Sequence, residues 1–116
     1  MTEHSEIEIE YAFETFLLKV QAKVNEYFAT NYPNLTAPTI AVHPGRTYWK
    51  VVKEEARYGG ISCSVYGFVR KSDGAIFKPA SYKTPYTKGP TAIRGNVCDG
   101  SNGMDATTAY GIRYAS

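Results

Sequence analysis

From Ile9 onward apolar side chains return every three or four positions: Ile9, Phe13, Phe16, Leu17, Val20, Val24, Tyr27 and Phe28. That spacing gathers them on one side of an α-helix as a single broad stripe. Ser5 followed by Glu8 reads as a capping box, the hydroxyl accepting from the third helical amide while the glutamate reaches back. Glu6, Glu8, Glu10 and Glu14 crowd the same end, where the helix macrodipole favours negative charge. Pro33 cannot continue the helix, so the expected span is residues 5–31, roughly six turns. A stripe with three phenylalanines must be buried, and a sheet built from the rest of the chain is the simplest cover.

Beyond Pro33 the period changes. Residues 31–38 form a loop held by two prolines, Thr39–Val42 is a short strand candidate, and His43–Arg46 reads as a turn. Thr47–Lys53 is β-branched and aromatic and predicts a strand. Glu54–Gly60, with two acids, an arginine and a glycine pair, reads as the connection to the next one. Ile61–Arg70 alternates, placing Ile61, Cys63, Val65 and Val69 on one face and Ser64, Tyr66, Phe68 and Arg70 on the other. Ser72-Asp73-Gly74 supplies a hairpin turn, and Ala75–Pro79 returns, with Pro79 confined to an edge or a bulge. Residues 79–95 hold three prolines and two glycines and predict irregular backbone packed across the sheet. The tail 99–116 contains an Asn102-Gly103 turn and a last extended segment, Ala109–Tyr114. The expected class is α+β: one long N-terminal helix packed on a small antiparallel β-sheet with an irregular C-terminal segment, in a single domain over residues 1–116.

Composition adds one asymmetry. The 116 residues are 43% apolar and 21% charged, as in ordinary folded domains, with ten tyrosines. Residues 1–45 carry six glutamates against two lysines, a charge of −4, and residues 46–116 carry eleven basic against five acidic groups, a charge of +6. Cys63 and Cys98 match no metal or redox spacing and are expected as reduced thiols in a cytosolic compartment, where the Asn34-Leu35-Thr36 sequon has no meaning. The acidic N-terminus is unlike a signal peptide, and no apolar run is long enough to span a membrane.

The basic half interleaves cations with rings: Trp49-Lys50, Arg57-Tyr58, Tyr66 to Arg70, Phe77-Lys78, Tyr82-Lys83, Tyr86 to Lys88 and Arg113-Tyr114. Binders of single-stranded nucleic acid need this mixture, cations for phosphates and π-faces on which bases stack. The expected contacts are Lys50, Arg70, Lys71, Lys78, Lys83, Lys88 and Arg94, with Tyr66, Tyr82 and Tyr86 as stacking platforms. The competing account is that tyrosines pack a half-exposed sheet while lysines solubilise its edges. Arg94-Gly95-Asn96 fits either an anion-binding arginine or a structural one. Lys78, Ser81 and Lys83 suggest a lysine-activated serine, but no elbow or oxyanion-hole motif surrounds Ser81. Asp99–Asp105 faintly echoes a calcium loop, yet Met104 stands where that loop needs glycine and no glutamate closes it. His4 and His43 build no metal site, and phosphate-cradling and dinucleotide motifs are absent. No catalytic residue, metal or cofactor is therefore expected.

The second half of the chain resembles a family of small proteins of tailed bacteriophages. That family's pattern runs S-V-Y-x-F-V, a D/N-G turn, K-A-A-S-W-K-x-P and R-G-N. Here it stands as Ser64-Val65-Tyr66-Gly67-Phe68-Val69, Asp73-Gly74, Lys78-Pro79-Ala80-Ser81-Tyr82-Lys83-Thr84-Pro85 and Arg94-Gly95-Asn96, and Ala109–Tyr114 resembles the family's ending. Pro79 and Tyr82 depart from the usual Ala and Trp, and the gap before Arg94 is longer. The resemblance implies a phage-encoded protein of the host cytoplasm or the virion and carries over no catalytic residue. The expected partner is nucleic acid or another polyanion, with a virion or host protein as the alternative. The acidic helix and basic remainder also permit self-association, and no membrane partner is expected.

Overall fold

In the computed structural model, which describes residues 5–57, 59–89, 92–109 and 111–112, one helix lies against a five-stranded antiparallel sheet. Helix α1 spans Glu6–Asn31. Ser5 is its N-cap, accepting from the Glu8 amide at 3.2 Å, and its hydroxyl faces the Glu8 carboxylate at 3.3 Å. The last turn closes through the Tyr32 amide on the Phe28 carbonyl, and Tyr32, forced out of helical geometry by Pro33, ends it. Ile9, Phe13, Phe16, Val20 and Val24 are buried, as the three/four spacing requires.

Strands β1 (Thr39–Pro44), β2 (Tyr48–Arg57), β3 (Gly60–Arg70), β4 (Ala75–Phe77) and β5 (Gly95–Asn96) follow one another in sheet order as they do in sequence. Each pairs antiparallel with the next. Successive residues of a strand point to opposite faces, so the sheet has two buried sides. Phe13, Phe16, Val20 and Val24 meet Val51, Val69, Ile76 and Val97 on the helix side, with Phe13 stacked on Trp49 at 4.1 Å between ring centroids. On the other side Phe68, Ala75 and Phe77 pack with Tyr48, Val65 and Ala92, the last supplied by the segment that follows β4. Tyr48 meets the rings of Phe68 and Phe77 edge-on.

Three polar side chains fasten the pieces. Gln21 accepts from the Ile40 amide and donates to the Pro38 carbonyl, clamping the start of β1 to the helix. Lys23 donates to the carbonyls of Met104 and Thr107, and Asn102 to those of Ala12 and Val97, so the tail is tied to α1. Asn102 and Gly103 both have positive φ, 57° and 81°, as an Asn-Gly turn predicts. A Cβ on Gly103 would lie 2.9 Å from Phe16, so the turn doubles as a close approach to the helix.

Several local expectations are corrected. Glu54–Arg57 is strand rather than loop: β2 and β3 stay paired out to Arg57 and Gly60, leaving a two-residue connection in which Gly59 supplies φ of 90°. This long hairpin outruns its cover, so Ile61 and Cys63 are exposed and not buried. Further along, the β2–β3 register shifts between Val51 and Val52, leaving Tyr66 as an extra residue in β3. A bulge reverses the alternation after it, which is why Tyr66 and Val69 share the helix-side cluster although the period-two pattern separates them. The return strand β4 also stops at Phe77, and Pro79, which has no amide to give a ladder, instead bridges to Pro85. Of the Ala109–Tyr114 segment, residues 110, 113 and 114 lie outside the described residues, and Ile112 forms an isolated bridge with Thr107.

Candidate functional site

The segment after β4 is organised as a small loop of its own. The Tyr86 amide donates to the Lys78 carbonyl and the Ala80 amide to the Thr84 carbonyl, both at 2.9 Å, so residues 78–86 double back on themselves. Ser81 closes the tip: its Oγ sits 2.9 Å from Thr84 Oγ1 and accepts from the Lys83 and Thr84 amides. The Ser81 hydroxyl is thus engaged in holding the turn. The loop is pinned to the sheet by Lys50 on β2, which donates to the Tyr82 carbonyl at 3.2 Å and lies 3.8 Å from the centre of the Tyr82 ring. Lys78 sits 5.1 Å from the Tyr86 ring in the same manner. These cation–π contacts hold each ring by one face. Tyr82 remains 45% and Tyr86 37% exposed.

Two adjoining clefts flank this loop and share Thr84 and Pro85. The larger, about 560 Å³, runs from the β1–β2 turn to the loop and is lined by His43, Arg46, Tyr48, Lys50 and Lys83 among others. The second, about 520 Å³, is lined by Lys78, Tyr86 and Lys88 with Pro79, Ala80 and Thr87. Neither cleft has an aspartate or glutamate among its lining residues. Arg46, Lys50, Lys78, Lys83 and Lys88 thus line two adjoining grooves whose lining residues include no acid, which favours positive potential there.

The expected contacts divide accordingly. Lys50, Lys78, Tyr82, Lys83 and Lys88 come together at the clefts, together with Tyr86. Arg70 does not join them: its Nε and Nη2 hold both Asp73 oxygens at 3.0 and 2.6 Å, and its guanidinium lies over the Phe77 ring. The fork–fork bond to Arg70 is the main reason the Asp73 carboxyl titrates below its ordinary range, and the same bond raises Arg70. Lys71 lies 5.7 Å from the Trp49 ring, near the stack that Trp49 makes with Phe13 of the helix. Arg94 has Nε and Nη1 buried with no hydrogen-bond acceptor, so it offers no open fork to a phosphate. Tyr66, expected as a platform, is 1% exposed and donates its hydroxyl to the Thr108 carbonyl. Burial drives its phenol pKa well above the usual value.

Arg46 and His43 were expected only as residues of a turn, because a turn arginine carries no period or motif that marks it as a contact. Their membership in the cleft follows from the β1–β2 register, in which His43 stands opposite Lys50. Asp99, the acid of the calcium-like stretch, spends Oδ1 on the Ser101 amide and hydroxyl and the Gly103 amide. Partial burial opposes its ionisation, but those donors outweigh it and the carboxyl titrates low. Among the described residues no group of histidines, cysteines and acids is arranged to hold a metal ion, and no helix is long and apolar enough to cross a membrane.

Residues 1–111 match the model of a family of unknown function, DUF7717, and this chain belongs to that family. No curated protein and no solved structure matches it.

Proposed function

For this member of the DUF7717 family we propose a binding role, in which the two clefts around residues 78–88 hold a single-stranded nucleic acid or a similar polyanion. The observation that carries the reading is the pair of joined grooves lined by Arg46, Lys50, Lys78, Lys83 and Lys88 with no acid among them. Lysine and arginine side chains neutralise phosphates and release their counterions, and a half-exposed ring accepts a stacked base. Tyr82 and Tyr86 have the exposure for stacking, and each is backed by a lysine that fixes its plane. A base on the open face of either ring would bring its phosphate toward Lys83 or Lys88. The resemblance of Ser64–Asn96 to proteins of tailed phages supports an accessory protein working in an infected cell or on the particle.

Fluorescence anisotropy of labelled single- and double-stranded oligonucleotides, titrated at about 50 and 200 mM salt, tests this directly. The expected result is binding at low salt that weakens steeply at the higher concentration and is stronger for the single strand. No binding at low salt, or affinity indifferent to salt, overturns it. The same face would then serve protein contacts, as a particle component or a blocker of a host protein, and pull-downs would be the next step.

A further inference from the structure

The long β2–β3 hairpin leaves a sheet edge open. β4 covers β3 only at Phe68 and Val69, and among the described residues no backbone bond from outside the hairpin reaches Gly60–Val65. Which groups point outward follows from the ladder. The Ile40 amide donates to Gln21 and so turns away from β2, which leaves Lys53, opposite Ile40, to bond across to Ser64 of β3. By alternation Gly60 and Ser62 also face β2, and the amides and carbonyls of Ile61, Cys63 and Val65 point outward. Folded proteins blunt open edges with charge, proline or a cover. The outer edge of β1 is blunted in this way, since Gln21 takes the Ile40 amide and Pro44 has none. Gly60–Val65 has no charged residue and no proline, and residues 60–64 are exposed.

We propose that a second copy of the chain pairs with this edge, β3 against β3, antiparallel about a two-fold axis at Cys63. The sequence around that axis has the same character in both directions: Ile61-Ser62-Cys63-Ser64-Val65. Each residue therefore meets its like, Ile61 against Val65, Ser62 against Ser64 and Cys63 against Cys63. Such self-complementarity is what a two-fold interface requires, and β-branched and hydroxyl pairs stabilise antiparallel neighbours. The outward residues form the bonded pairs, about six hydrogen bonds in all. Past Val65 the second copy first brings Gly60 and Gly59, which have no side chains to strike the body of the molecule. Charge does not oppose the pairing. Lys53, Glu54, Glu55 and Arg57 all lie on β2. The two β2 strands end three strand spacings apart, about 14 Å, beyond the screening length of about 8 Å at physiological salt. An unrelated extended peptide would use the same backbone groups; the like-with-like order is what favours a second copy.

Analytical ultracentrifugation under reducing conditions, across a wide concentration range, supplies the first readout. The expected result is a reversible rise toward twice the 12.9 kDa chain mass. Cys63→Pro removes an outward amide from each copy, a place where a single chain tolerates proline, and is expected to weaken the dimer about tenfold or more with the circular dichroism spectrum unchanged. Cys63→Lys, which sets like charges opposite each other at the axis without touching the backbone, is expected to weaken it as well. The second readout is register. With Cys63→Ser and Cys98→Ser as background, a mixture of Ser62→Cys and Ser64→Cys chains oxidised with diamide is expected to form the mixed disulfide in preference to either like pair, because opposite residues there stand about 4.5 Å apart at Cα. A monomer at every concentration overturns the proposal, as does a dimer that either Cys63 substitution leaves as strong, or a preference for joining position 62 to 62 or 64 to 64.

Discussion

Arg70 and Lys83 look alike in the sequence, both basic and both beside aromatic residues, and the structure separates them sharply. Arg70 is neutralised by two hydrogen bonds to Asp73, whereas Lys83 and Lys88 are exposed on acid-free clefts. If all five cleft cations meet phosphates, the slope of log affinity against log salt on a single strand is about −3.5, taking about 0.7 per phosphate. A fourfold rise in salt then costs about a hundredfold in affinity. Replacing Lys83 and Lys88 with Gln removes about 1.4 from the slope, and the same salt step costs only about twentyfold. Removing the Arg70–Asp73 pair together, as R70Q/D73N, is expected to leave the slope of the native protein in place, because the pair offers no net charge to a ligand. Anisotropy titrations at several salt concentrations on the three proteins give the slopes. A slope that falls as far with R70Q/D73N as with K83Q/K88Q would refute the assignment of the interface to the clefts.

Other expectations concern the scaffold. Tyr66→Phe removes the hydrogen bond that the buried Tyr66 hydroxyl gives the Thr108 carbonyl, at a cost of about 1 kcal/mol; an unchanged melting temperature would show that contact to be unimportant. Asp73 and Asp99 both titrate below their ordinary values in the fold. Their contribution is therefore complete above the unfolded carboxyl pKa of about 3.9 and is lost as pH falls through the lower folded values. Urea midpoints measured from neutral to strongly acid solution should drop in that window, and Asp73→Asn with Asp99→Asn should flatten the drop. Burial, followed by the charges of Glu8, Asp99 and Asp73, pushes the Cys98 thiol up. Alkylation at neutral pH should thus reach exposed Cys63 first, and equal rates would contradict the placement of Cys98.

The helix was legible because three signals agree within one stretch: the Ser5 and Glu8 cap, the apolar period and the stop at Pro33. The antiparallel sheet beneath it was legible in its first four strands, from turn residues such as Asp73-Gly74, whereas the two-residue β5, Gly95–Asn96, carries no strand signal of its own. The bulge at Tyr66 was not, since one inserted residue leaves no mark on a period-two pattern until the partner strand fixes the register. That single residue moved Tyr66 from an expected platform to the core. The basic and aromatic character of the loop was visible in composition, but not its arrangement. Lys50 meets Tyr82 across 32 positions, a contact that only topology creates. The pairing of Arg70 with Asp73, three residues on, was within reach of local reasoning and explains why that arginine does not belong with the rest.

The most direct test of the binding account is where a ligand lands. Amide chemical-shift mapping of the isotope-labelled protein with a short single-stranded oligonucleotide at low salt should perturb residues 43–50 and 78–88 and leave the outer side of α1 and the 54–63 hairpin unchanged. Perturbations centred on α1 or on that hairpin, or none at all, would contradict it.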